Sequence, residues 1–248
     1  MTGQVARTAT ALVVSLSSLG WCTQALAYRP FDGTDAAVAD PGEIEIEAGP
    51  VQYLRQGSER ALVAPDLVLN YGIAPGWEAV LEGRYAHGLS AESNGTSVIG
   101  DGVFLKGILR ESSLQGGSGP SVATEFGFLL PGITDEPGTG GSIAVIVSQQ
   151  WSSLTVHLNA AFAVTRQHYG DVFLSAIVEG PHDWTVRPVA EFVHERDFSG
   201  LQTTSGLVGA IWQVSDHLAF DAALRVGRVN DLPLEEVRVG LTFSFPIK

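Results

Sequence analysis

The sequence predicts an all-β fold, a closed antiparallel up-and-down transmembrane β-barrel of about 12 strands, and three observations predict it. From Glu43 onward, stretches of about 10 to 14 residues alternate apolar with polar or small side chains, the period-2 pattern of a strand with two unlike faces. Beyond the first thirty residues no window holds the roughly 20 uninterrupted apolar residues of a spanning helix, although the mean hydropathy is +0.17. The Gly-, Pro-, Asn- and Asp-rich separators alternate mostly short with long, as the two rims of an outer-membrane barrel do.

Residues 1–27 read as a cleavable secretory signal peptide. Arg7 is their only charge, Ala11 to Leu19 is a short apolar run, and Ala25-Leu26-Ala27 is a small-x-small site that places cleavage between Ala27 and Tyr28. The apolar run is too short to anchor the chain, and bulky Trp21 precedes Cys22 where lipoprotein processing needs a small residue. Cys22 is the only cysteine, so a chain beginning at Tyr28 has neither disulfides nor thiolate metal sites. Losing Arg7 from 14 Lys and Arg leaves 13 against 27 Asp and Glu, an acidity that argues against nucleic acid as a partner. Residues 28–42, with Pro30, Gly33, three Asp and little periodicity, form a periplasmic N-terminal segment, read first as a disordered tail and alternatively as a plug entering the lumen.

Residues 43–248 form the barrel. Strands are expected at 43–54, 61–73, 77–90, 98–112, 119–131, 142–151, 153–166, 171–180, 184–196, 202–214, 217–228 and 235–246, an even number as single-chain bacterial barrels have. The last is the clearest: Val237, Val239, Leu241, Phe243 and Phe245 point one way and Glu236, Arg238, Gly240, Thr242 and Ser244 the other. With a periplasmic N-terminus, the periplasmic turns are Ala74-Pro75-Gly76, 112–118, Ser152, 181–183 and Ser215-Asp216, all tight except the Gly/Ser-rich 112–118. The opposite set is 55–60, 91–97, 132–141, 167–170, 197–201 and 229–234. One strand face carries many ionisable groups, unlike the packed interior of a sandwich, and a closed sheet is the β-structure whose backbone is fully paired in hydrocarbon. The expected partner on the other face is outer-membrane lipid. Trp77, Trp184 and Trp212 fall near strand ends on the periplasmic side, where an aromatic girdle sits. The terminal strand with Phe243 and Phe245 also suits recognition by the barrel assembly machinery, although it ends in Pro246-Ile247-Lys248 and not on the aromatic itself.

Several segments resemble one outer-membrane family. They are Gly100-Asp101 leading into the strand with Lys106, Val122 to Phe128 running on to Leu130-Pro131-Gly132 before the Gly-rich 138–141, and His157-Leu158-Asn159. To these add Arg187-Pro188-Val189-Ala190-Glu191 and the stretch from Gly209 through Ser215-Asp216-His217-Leu218 to Arg225. In order and spacing they are similar to the family associated with the MetA pathway of phenol degradation, over most of residues 60–245. The resemblance implies an outer-membrane barrel concerned with small organic, in part aromatic, compounds.

The inward face is expected to hold Glu45, Glu47, Glu78, Glu82, Arg84, Lys106, Arg110, Glu125, His157, Asn159, Arg187, Glu191, Asp221, Arg225, Glu236 and Arg238. They either select a solute, as charged rings do in pores, or pair with one another and hold a narrow barrel rigid. About twelve strands lie between a barrel filled by side chains and one with an aqueous channel. Three functions follow: a passive channel for small organic solutes, a non-transporting structural or surface-binding barrel, and an outer-membrane hydrolase. The last needs a serine beside a histidine, and His157 with Asn159 has no convincing serine on its own strand face. His168 with Asp171, His182 with Asp183, and Asp135 with Glu136 lack enough ligands for a metal. No cofactor is expected, since no Gly-rich element opens a helix.

Overall fold

The computed structural model of the protein describes residues 28–90, 95–131 and 138–247. The signal-peptide reading of 1–27 and the loop pair Asp135 and Glu136 lie outside the described residues.

Twelve strands follow one another: β1 Glu43–Gln56, β2 Glu59–Ala74, β3 Trp77–Gly88, β4 Thr96–Arg110, β5 Ser121–Leu129, β6 Gly140–Gln150, β7 Thr155–Val164, β8 Gly170–Glu179, β9 Val186–Asp197, β10 Gln202–Ser215, β11 Leu218–Val229 and β12 Leu232–Pro246. Each pairs antiparallel with its chain neighbours, and β12 pairs back onto β1 to close the barrel. Each expected strand is present.

Alternation decides which side chains face in. Along β12, Glu236, Arg238, Gly240, Thr242 and Ser244 are buried inside, while Val237, Val239 and Phe245 are exposed outside. Leu81, Phe162, Phe192, Val208 and Leu224 continue an exposed apolar belt around the barrel. So large an apolar surface on a closed sheet matches hydrocarbon rather than water. Register shifts change the inward set, and two of them fall at prolines. In β1 the sequence Gly49-Pro50 shifts the pairing between Ala48 and Val51, so that Gln52 follows Glu45, Glu47 and Gly49 inward. In β2, Pro65, which has no N–H to give a ladder, lies within a shift between Val63 and Asp66 and leaves Asp66 pointing in.

The connections differ from expectation. Residues 55–60 and 229–234 are not loops but two-residue turns, Gly57-Ser58 and Asn230-Asp231, with β1, β2, β11 and β12 extended into them. Gly57 and Asn230 adopt φ of 61° and 51°, the left-handed backbone that tight hairpins require. At the opposite rim, residues 111–120 form a ten-residue connection containing the 3₁₀ turn Ser113–Gln115. The rims are therefore less unequal than the sequence suggested.

Candidate functional site

The barrel interior is crossed by residues 28–42, and their partners come from nearly every side of the wall. Arg29 is buried, donates from Nη1 to Asp66 Oδ2 at 2.9 Å and lies 3.5 Å from Asp221 Oδ2, while its backbone N–H reaches Glu47 Oε2 at 3.1 Å. Arg238 donates to the Pro30 carbonyl and to Asp32 Oδ1, both at 2.7 Å, and Arg225 holds the other Asp32 oxygen at 2.9 Å. Glu191 accepts the backbone N–H groups of Asp32 and Gly33, one on each oxygen, both at 2.8 Å. Asn159 accepts from Thr34 N at 3.1 Å and donates to its carbonyl at 2.9 Å, pairing with that backbone as a neighbouring strand would. Ala39 N–H donates to Glu78 Oε2 at 2.7 Å.

Lys106 lies at the centre of this docking. It is 0% exposed, donates to the Tyr28 hydroxyl, and stands 3.4 Å from Asp35 and 3.5 Å from Glu78. Its ammonium also lies 3.9 Å from the centre of the Tyr28 ring. Buried charges are tolerated only where paired and hydrogen-bonded, and the paired charge here is divided between wall and segment. For Asp32, burial pushes the carboxyl pKa up, but the guanidiniums of Arg238, Arg225 and Arg84 outweigh it and hold the group at about 2, below the usual 3.8.

The wall is shaped for the segment as well as charged for it. A Cβ at Gly72 would overlap the backbone carbonyl of Asp40, and one at Gly49 would lie 2.8 Å from the Arg29 guanidinium. Gly33 of the segment likewise has no room for a side chain against Ser175 and Asn159. Apolar contacts complete the fit: Phe31 packs against Val189, Ile211 and Ala219, and Ala36 against Ala123 and Ile146.

Of the residues expected to line the lumen, Glu45, Glu47, Glu78, Lys106, His157, Asn159, Arg187, Glu191, Asp221, Glu236 and Arg238 are buried inside. Glu82, Arg84, Glu125 and Arg225 are half-buried, and Arg110, the last residue of β4, is exposed at the rim. Trp77, Trp184 and Trp212 are exposed and lie at or beside strand ends on one rim, and so does Trp151, which sequence reasoning did not group with them.

Ser148 was also missed, because it sits on β6 directly across from His157 on β7. Its Oγ lies 2.8 Å from His157 Nδ1, His157 Nε2 lies 2.9 Å from Glu179, and Arg187 lies 3.3 Å from the same carboxylate. The order serine, histidine, carboxylate is that of an acyl-transfer triad. Here, however, Ser148 is 0% exposed and its Oγ accepts the Ala36 N–H at 2.9 Å. The N–H beside the serine is thus spent on the serine itself, and the network seats the segment. Among the described residues no group of three His, Cys, Asp or Glu can hold a metal ion.

Beyond the segment lies a cavity of about 670 Å³. Asp32, Gly33 and Thr34 form its floor, and it extends to the β7–β8 and β9–β10 connections at the rim opposite Glu43 and Pro246. Its wall is acidic, with Glu82, Glu125, Asp171, Glu195 and Asp197, and partly apolar.

No known protein family and no curated protein matches the sequence, so the likeness to the phenol-degradation family rests on the motifs quoted for it. Solved structures do match. The KdgM porin superposes with a TM-score of 0.56 at 14% identity, over 81% of this chain and 99% of its own. The NanC porin does so with a TM-score of 0.57 at 10% identity, over 81% and 98%. The CymD monoaromatic hydrocarbon channel gives 0.51 at 9% identity, over 84% and 89%. At such identities the shared property is the fold, a porin-like barrel.

Proposed function

We propose that the protein is an outer-membrane channel for small organic solutes, entered from one rim and barred by its own N-terminal segment. The observation that carries this reading is the cavity of about 670 Å³ floored by Asp32, Gly33 and Thr34. A chamber open toward one rim and closed by a segment of the same chain is a pore with its gate in place. The exposed apolar belt, the fold shared with porins and channels, and the export signal read at the N-terminus support the outer membrane as its location. The acidic lining speaks against a polyanion such as the oligogalacturonate bound in one KdgM porin structure. The apolar part of the wall and the motifs similar to the phenol-degradation family favour small, partly aromatic solutes.

The test is single-channel conductance in planar bilayers together with solute uptake by liposomes. The full chain should conduct weakly, and a chain lacking residues 28–41 severalfold more. If neither form passes any ion or solute, the channel reading fails. A non-transporting barrel is the second reading, favoured by the ion pairs that tie Arg29, Asp32 and Lys106 across the lumen. It predicts that the shortened chain is as silent as the full one. The hydrolase reading has little support, since Ser148 and His157 lie under Ala36 and outside the cavity.

A further inference from the structure

Two carboxylates in the cavity wall face each other, and among the described residues no basic side chain pairs with either. Asp171 on β8 is the direct cross-strand partner of Asp197 on β9, and both line the cavity. Asp171 is only 8% exposed, yet among the described residues its carboxylate has neither a hydrogen-bond donor nor an ion-pair partner. Like charges directly opposite on a sheet destabilise it, so this arrangement stores repulsion that a cation would relieve. The basic side chain lining the cavity, Arg166, is turned to Asp101 Oδ1 at 3.2 Å and to the Leu130 carbonyl.

The surroundings select the kind of cation. The Asp, Glu and His side chains here do not converge as a metal site among the described residues, so a bare metal ion has no chelating set. Instead, Phe173 lies two residues from Asp171 on the same strand face and directly across from Glu195. An aromatic ring is thus flanked by three carboxylates. A ring face and carboxylates together suit an alkylammonium, which gains from both, whereas a hydrated metal ion uses only the carboxylates. Leu129, Leu201 and Ala161 supply apolar wall for the rest of the molecule, and the volume lies within the usual range for small-ligand sites.

We infer that this cavity binds a small organic cation, a protonated amine carried on an aromatic or aliphatic body, with its ammonium between Asp171, Asp197 and Glu195 and its apolar part against Phe173. The inference rests on the channel reading for how the solute arrives, though not for the binding itself.

The experiment is calorimetric titration of the full chain in nonionic detergent, at physiological salt, with three probes of one shape: benzylamine, benzyl alcohol and benzoate. Benzylammonium should bind at least about tenfold tighter than the alcohol, and benzoate should not bind. Asp171→Asn and Asp197→Asn should each weaken benzylammonium about tenfold, and Phe173→Leu severalfold. Because each Asn variant removes one of two repelling charges, the barrel should keep its heat-dependent shift on gels, so lost binding reports the site and not misfolding. Equal binding of alcohol and amine, binding of benzoate, or wild-type affinity in both Asn variants would overturn the inference. A chain that conducts but does not prefer the amine sinks this site and spares the channel; one that binds the amine but passes nothing does the reverse.

Discussion

Lys106 holds Tyr28 and Asp35 of the N-terminal segment against Glu78 of the wall, with none of its own surface exposed. Replacing it by Met leaves two carboxylates without their cation, which costs about 3 kcal/mol for a buried pair. Lys106→Met should therefore expose the segment to added protease while the barrel remains folded, and Lys106→Arg should restore part of the protection. Two glycines give a sharper comparison. A methyl at Gly72 meets the backbone of Asp40, which cannot step aside, whereas one at Gly240 meets the Arg29 side chain and Asp221 Oδ2. Gly72→Ala should raise conductance more than Gly240→Ala. Ser148 should stay unlabelled by a fluorophosphonate in the full chain, and labelling there would revive the hydrolase reading. At this scale the sequence was legible in direction and not in partnership. Alternation shows that Glu191, Asn159 and Arg238 face inward, but their partners Asp32, Gly33 and Thr34 lie more than 120 residues away in the chain. Asp171 read as the neighbour of His168 in sequence, and only the pairing of β8 with β9 shows that it faces Asp197.

All twelve strands could be placed from the sequence because each carries its own two-faced pattern, which no distant contact has to supply. The turns were less legible, since Gly57 and Asn230 shorten two connections by backbone conformation rather than by composition. Residues 28–42 were the least legible. Their structure is borrowed from the wall, and a segment with no periodicity of its own looks the same in sequence whether it is docked or loose. None of the strand pairings uses a residue of this segment, so a chain lacking 28–41 should still close. It should unfold at a lower temperature on the gel-shift assay, because Glu47, Glu191 and Arg238 each lose segment partners. An unchanged midpoint would mean that the segment contributes little to the wall.

Taken whole, the molecule presents water with an acidic cavity and presents its surroundings with Leu, Val, Phe and Trp. That division predicts that the protein needs detergent for extraction and keeps its barrel in SDS until heated; release by salt or carbonate alone would contradict it. The apolar exterior was legible from composition and period, while the chamber inside was not, because its floor is built by the least patterned part of the chain. The floor also has a bearing on time. Arg29 touches β2, β11 and β12, and Asp32 is gripped from β11 and β12, so the first residues after Ala27 straddle the seam where the last strand meets the first. Their full set of partners does not exist until β12 has arrived. Arg29 and Asp32 are thus among the last residues to settle, and once settled they fasten the seam from within.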